Sequence, residues 1–168
     1  MKILAARHYV SPRTRALTPE EQETRRLAYA IKDTAAPMAD FDTAARDMAQ
    51  LVDTPCWLVP IPDRNGGLDA NTRLAALIAH HAANGAQVVR AIRRTAPIDS
   101  QCERHRQKRG PIAPADHHFV RTTKWLTARP TYFVDNVITS GNTFKAAHAA
   151  LAFGTGLAFA DANSPFNR

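Results

Sequence analysis

Cysteine is scarce in this chain: Cys56 and Cys102 are the only two among 168 residues. That number excludes a disulfide framework of the kind that staples small secreted domains, and it points to a reducing cytoplasm. No run of 18 apolar residues occurs, so no membrane span is expected. The opening stretch Met1 to Ala6 is too short for a signal-peptide core before Arg7 and His8 interrupt it. Metal-ligand spacing is also missing. His80-His81 and His117-His118 are adjacent pairs, a poor arrangement for two ligands on one helix face. Sequence order supports no Ser-His-Asp or Cys-His nucleophile, and zinc-finger spacing, an aromatic-rich RNA motif and a helix-turn-helix are absent. Internal repeats and low-complexity tracts are absent too.

What is present describes one globular unit. Hydrophobic residues make up 45% and charged residues 22%, enough apolar surface for a real core at this length. The net charge is +7, which attracts polyanions. Arg90, Arg93, Arg94, Arg104, Arg106, Lys108, Arg109, Arg121 and Lys124 crowd into residues 90–124. Two partners fit such a segment, a small polyanionic substrate or a nucleic acid, and both readings stay open.

The hydrophobic pattern predicts the elements. Residues 1–10 alternate weakly, as an accessory strand. Thr18, Pro19 and Glu21 form a helix start with a capping box, and the helix runs to about Asp33. Asp40 is the expected cap of a second helix ending near Leu51. Cys56 to Ile61 reads as a buried strand, followed by the turn-rich loop Asp63 to Gly67. Leu74, Leu77, Ile78 and His81 mark a helical face, with Gly85 as its stop. Gln87 to Ile92 reads as one more strand. Residues 95–118 are polar, basic and long for a plain connection, which predicts a lid. Thr131 to Ile138 is a strand, Asn142 to Phe153 a helix and Gly156 to Ala160 a last strand. The fold class is therefore α/β: a central, mostly parallel sheet with helices on both faces.

The richest stretch is Tyr132 to Thr143. An apolar strand ends in Asp135-Asn136, and a turn of Thr139, Ser140, Gly141, Asn142 and Thr143 opens a helix. Amides at a helix start lack intrahelical partners and carry the positive end of the helix dipole. A phosphate placed there collects several donors, Gly141 lets the chain come close, and the hydroxyls add more. Asp135 and Asn136 emerge at the carboxyl edge of the sheet, where ligands bind in open α/β folds. An acid and an amide there suit the vicinal hydroxyls of a ribose.

Val134 to Thr143 resembles the phosphoribosyl pyrophosphate signature of type I phosphoribosyltransferases: a hydrophobic strand, two acids, then T-T/S-G-x-T. Asn136 departs from it, standing where the family usually has its second acid. Trp57-Leu58-Val59-Pro60-Ile61-Pro62 is similar to the first core strand of the competence-associated, ComF-type branch. Arg93 to Phe119, with Ser100-Gln101 and a basic run, is similar to that branch's variable loop. The N-terminal zinc module of the branch is absent. Of its Arg-Gly-Phe-Asn-Gln stretch only Asn71 remains.

The resemblance implies a single domain with a core over about 53–161 and a lid over about 95–118. A hood is implied from residues 1–50 and the C-terminal segment. It implies an enzyme that binds phosphoribosyl pyrophosphate with Mg²⁺ and transfers the phosphoribosyl group to a nitrogenous base, releasing pyrophosphate. Thr139 to Thr143 would grip the 5′-phosphate, and Asp135 and Asn136 the ribose. Asp63, Arg64 and the lid cations Arg104, Arg106, Lys108 and Arg109 would meet the pyrophosphate. Mg²⁺ would arrive on the substrate, with Asp135 the one side chain placed to touch it. Relatives often dimerise. The alternative is a protein of the same fold that senses a phosphosugar or nucleotide, or serves DNA uptake, without turnover.

Overall fold

The computed structural model describes residues 1–11, 15–99, 101–124, 126 and 129–162. Five strands form one parallel sheet in the order β1 (Ile3–His8), β7 (Thr155–Asp161), β6 (Thr131–Ile138), β2 (Trp57–Pro60), β3 (Gln87–Val88). Helices α1 (Pro19–Ala30), α2 (Met38–Ala49) and α3 (Asp69–Ala82) cover one face. Helix α5 (Asn142–Leu151) and the antiparallel ribbon of β4 (Ile92–Arg94) and β5 (Phe119–Arg121) cover the other. A short helix α4 (Gln101–Arg106) and a 3₁₀ turn (Pro114–His117) lie between β4 and β5. This is the expected α/β architecture, consistent with a type I phosphoribosyltransferase-like fold. No helix of the described residues is long and apolar enough to cross a membrane.

Burial on both sheet faces explains why the central strands are apolar without interruption. Leu58, Val134 and Leu157 point into the core under α1–α3, while their neighbours Val59, Phe133 and Ala158 point into the core under α5. The capping box forms as expected: the Glu21 amide donates to Thr18 Oγ1 at 3.3 Å and the Thr18 amide to Glu21 Oε2 at 2.9 Å.

Three expectations are corrected. Residues 1–50 do not build a separate hood: β1 pairs with β7 as an edge of the central sheet, and α1 and α2 pack into the same core as α3. On the C-terminal side, β7 belongs to the sheet, and residues 163–168 lie outside the described residues, as does Ser100 of the variable-loop resemblance. Asp40 does not cap α2. Pro37 holds that position, and Asp40 lies in the first turn, where Arg26 reaches it at 2.8 Å. Gln87 to Ile92 is not one strand. The chain leaves the sheet after Val88 and re-pairs from Ile92 with Arg121, because the apolar run serves two cores in succession.

The connections fix where a ligand can enter. From β2 the chain crosses through α3 to β3, and from adjacent β6 it crosses through α5 to β7 on the opposite face. The two crossovers diverge, so a crevice opens between the carboxyl ends of β2 and β6.

Candidate functional site

A cleft of about 480 Å³ occupies that crevice. Asp135, Asn136 and Thr143 line it from the β6 side, Asp63, Arg64 and Asn71 from the β2 side. Lys32 from the end of α1 and His117 from the lid complete its wall.

Asp135 lies in the second half of β6, three residues before the strand ends at Ile138. Burial pushes its carboxyl above the usual carboxylate range. The Asn136 amide at 2.8 Å and Asn71 Nδ2 at 3.4 Å both donate to Oδ1 and pull the other way, as do the charges of Lys32 and Arg94. Asn136 turns its own Oδ1 to the Val137 amide at 2.8 Å. Its side chain therefore braces the backbone at the strand end.

The turn after β6 has the geometry an anion site needs. Gly141 sits in the left-handed region at φ 71° and is the N-cap of α5, where it offers no side chain to the helix amides. Ser140 Oγ accepts from the Asn142 amide at 3.3 Å. Thr139 and Ser140 are exposed, and Thr143 faces the cleft. Asn142 does something the sequence did not suggest: its Nδ2 donates to the Ile112 carbonyl at 2.7 Å and ties the start of α5 to the lid.

The loop after β2 differs from its expected role. The Asp63 carboxylate accepts from the amides of Asn65 and Gly67, both at 2.8 Å, and the Asp63 amide donates to the Gly67 carbonyl. These groups hold the loop's own shape and are not free donors for a pyrophosphate. Arg64 lines the cleft, is more than half exposed, and pairs with Glu103 of α4 at 3.2 Å.

The lid cations do not converge on the cleft. Arg104 pairs with Asp116 and Arg109 with Asp99, while Arg106 and Lys108 are exposed. Among the described residues of this segment, Ile98, Asp99, Ile112 and His117 line the cleft. Asp99 and Asp116 draw two of the four cations onto the segment itself, while Glu103 pairs with Arg64 of the loop after β2.

Three residues carry weight that their sequence context hid. Arg94 is a hub: it donates to the carbonyls of Asp63 at 2.7 Å, His117 at 2.5 Å and Pro62 at 3.4 Å, and lies 4.5 Å over Phe119. Burial lowers its pKa from the ordinary guanidinium value. His117 is 4% exposed, and burial with the nearby Arg94 charge pushes its pKa down to about 4, so its ring is neutral at pH 7. Its Nδ1 and Asn71 Oδ1 are buried polar atoms without hydrogen-bond partners. Asn71 Nδ2 donates to the Ile61 carbonyl at 2.7 Å, which anchors α3 to the end of β2. Two unpaired polar atoms on residues of one cleft wall are costly unless something completes them. No local pattern marks Lys32 or His117; only the fold brings them beside Asp135.

No protein-family model matches this chain, and no curated protein matches it.

Proposed function

We propose that this protein is a phosphoribosyltransferase-like enzyme. It binds phosphoribosyl pyrophosphate with Mg²⁺ and transfers the phosphoribosyl group to a nitrogenous base. One observation carries the reading: Asp135, Asn136 and Thr143 share a cleft at the divergence of two crossovers, beside a helix start whose N-cap is a glycine. The amides and hydroxyls of Thr139 to Thr143 grip the 5′-phosphate. Asp135 and Asn136 face the ribose. A ring nitrogen of the base forms the new bond to the anomeric carbon as the bond to pyrophosphate oxygen breaks, and the electron pair leaves on pyrophosphate. Positive charge grows on the sugar during that exchange, and the Asp135 carboxylate stabilises it. Arg64 meets the departing pyrophosphate, and the lid segment keeps water out.

Mg²⁺ fits this donor set as an ion that enters with the substrate. Among the described residues no group of three or more His, Cys, Asp or Glu side chains lies together, and Asp135 Oδ1 already accepts two donors. Few protein ligands and several phosphate ligands are usual for this ion. Bound to the pyrophosphate, it would supply charge neutralisation of the leaving group. Free, buried Cys56 accords with a reducing cytoplasm as the working compartment.

A second reading, binding without turnover, draws on Asn136 in the place of an acid and on the amides that Asp63 occupies. Calorimetry with phosphoribosyl pyrophosphate and Mg²⁺ tests binding, and pyrophosphate release with a panel of bases tests turnover. Asp135→Ala is expected to lower release at least ~100-fold with an unchanged circular-dichroism spectrum. Turnover at the parent rate in that variant would refute the assignment, and binding with no release from any base would select the second reading.

A further inference from the structure

Tyr29 stands 55% exposed near the end of α1, between two depressions. On one side is a small cavity of about 120 Å³ walled by Tyr9, Tyr29, Lys32 and Thr139. On the other is an open groove walled by Arg15, Arg25 and Arg26. No carboxylate is among the described residues that line either one. The cavity is the part that touches the proposed site. Thr139 begins the turn that holds the 5′-phosphate, and Lys32 is a wall of both the cavity and the cleft that contains Asp135.

Its chemistry is aromatic and cationic. The Tyr9 and Tyr29 rings meet edge to face, with centroids 6.5 Å apart and hydroxyls 3.4 Å apart. Lys32 Nζ lies 5.4 Å from the centre of the Tyr29 ring, and the Arg25 guanidinium 5.6 Å. Arg25 also interacts with the hydroxyls of both tyrosines, and its Nε is buried without a hydrogen-bond partner. Edge-to-face rings accept a third planar ring readily. Arg15 and Arg26 of the groove are held by Glu21, Glu23 and Asp40, whereas Lys32 lines the cavity with no acid beside it there and favours a ligand with negative charge. The volume limits the size: at about 120 Å³ the cavity is smaller than the roughly 150 Å³ that accommodates benzene, so it takes at most a single ring and leaves a ring substituent at its mouth.

We infer that Tyr9, Tyr29, Lys32 and Thr139 form the acceptor subsite, and that the acceptor is a single-ring heteroaromatic carboxylate. This rests on the phosphoribosyltransferase reading. The ring lies against the two tyrosines with its carboxylate toward Lys32, and a ring nitrogen turns toward the sugar held by Asp135 and Asn136. That nitrogen bonds to the anomeric carbon, pyrophosphate leaves with its electron pair, and a ring N–H proton, where the acceptor has one, passes to water.

The test uses the full chain and four named probes: pyridine-3-carboxylate, its neutral carboxamide, uracil-6-carboxylate and adenine. Binding is followed by saturation-transfer NMR and calorimetry, with and without phosphoribosyl pyrophosphate and Mg²⁺. At least one carboxylate is expected to bind about tenfold or more tightly than the carboxamide and adenine. Tyr29→Ala is expected to weaken that carboxylate by at least about tenfold and to leave phosphoribosyl pyrophosphate affinity within about twofold. Lys32→Gln is expected to erase the preference for carboxylate over carboxamide. The inference is overturned if the neutral ring or adenine binds as well as both carboxylates, if Tyr29→Ala changes nothing, or if no ring binds while phosphoribosyl pyrophosphate does. Carboxylate binding that depends on Tyr29, without any affinity for phosphoribosyl pyrophosphate, would keep the subsite and refute the transferase.

Discussion

The two halves of this chain use charge in opposite ways. Residues 1–82 hold ten Lys and Arg against ten Asp and Glu, while residues 83–168 hold twelve against five, so the whole excess of +7 lies in the second half. In the first half the charges answer one another on helix surfaces: Arg15 with Glu21, Arg26 with Glu23 and Asp40, Arg46 with Asp42. In the second half several are taken inside. Arg94 grips three carbonyls, His117 is buried neutral, and Asp135 stands in the cleft. Paired surface charge decorates a fold, whereas buried charge determines how its parts are joined and what they can bind.

The comparison breaks or sharpens on four measurements. Arg94→Met should have the largest effect. It leaves the carbonyls of Asp63, His117 and Pro62 without their shared donor, at a cost of about 3 kcal/mol in urea unfolding. Amide exchange over 112–119 should accelerate at the same time; a loss no greater than that of a surface pair would erase the contrast between the halves.

His117 comes next. Its pKa falls from 6.5 in the unfolded chain to about 4 in the fold, so the fold excludes the proton. The stability it contributes is complete above pH 6.5 and is lost as pH falls through about 4, to a total of about 3 kcal/mol. The His117→Gln variant should therefore lose less stability than the parent between pH 7.5 and pH 4. Parallel curves for the two proteins would disprove the assignment.

Asp135 has the opposite sign. Burial raises its carboxyl pKa, so its favourable contribution is present below the unfolded value and is lost as pH rises through the folded one. Asp135→Asn should melt at a higher temperature than the parent at pH 7, and the gain should vanish toward pH 3. A lower melting temperature at pH 7 would mean that the carboxylate is stabilised, not strained, in the cleft. Arg26→Met in the first half should have the smallest effect, below about 1 kcal/mol and smaller still in high salt, because Arg26 is half exposed.

What could be read from the sequence followed the same division. The Thr18 capping box is a local device closed within four residues, and it forms as expected. Strand β6 was visible at both ends because its apolar run is bounded by Pro130 and by the polar turn after Ile138. The parallel sheet followed from alternating apolar runs and helical patterns. Longer-range partners were not legible. The Asp63 loop looked like a donor for anions, but its carboxylate turns back onto its own amides. The lid cations looked aimed at a substrate, but Asp99 and Asp116 hold two of them away. Residues 1–10 resembled an outlying strand because their alternation is weak, and only the pairing with β7 draws them into the sheet. Lys32, Arg94 and His117 gained their importance from neighbours distant in sequence.

The start of the chain has a hold on the far end of the cleft. Ile3 Cδ1 comes within 3.4 Å of where a β-carbon on Gly141 would stand, and Ile3 Cγ2 within 3.0 Å of the equivalent point on Gly156, which Phe144 also crowds. Ile3 is thus a doorstop behind the turn after β6. Shaving it to alanine, or fusing a purification handle that tugs the first strand out of line, would slacken that turn from behind without touching a single residue of the proposed site.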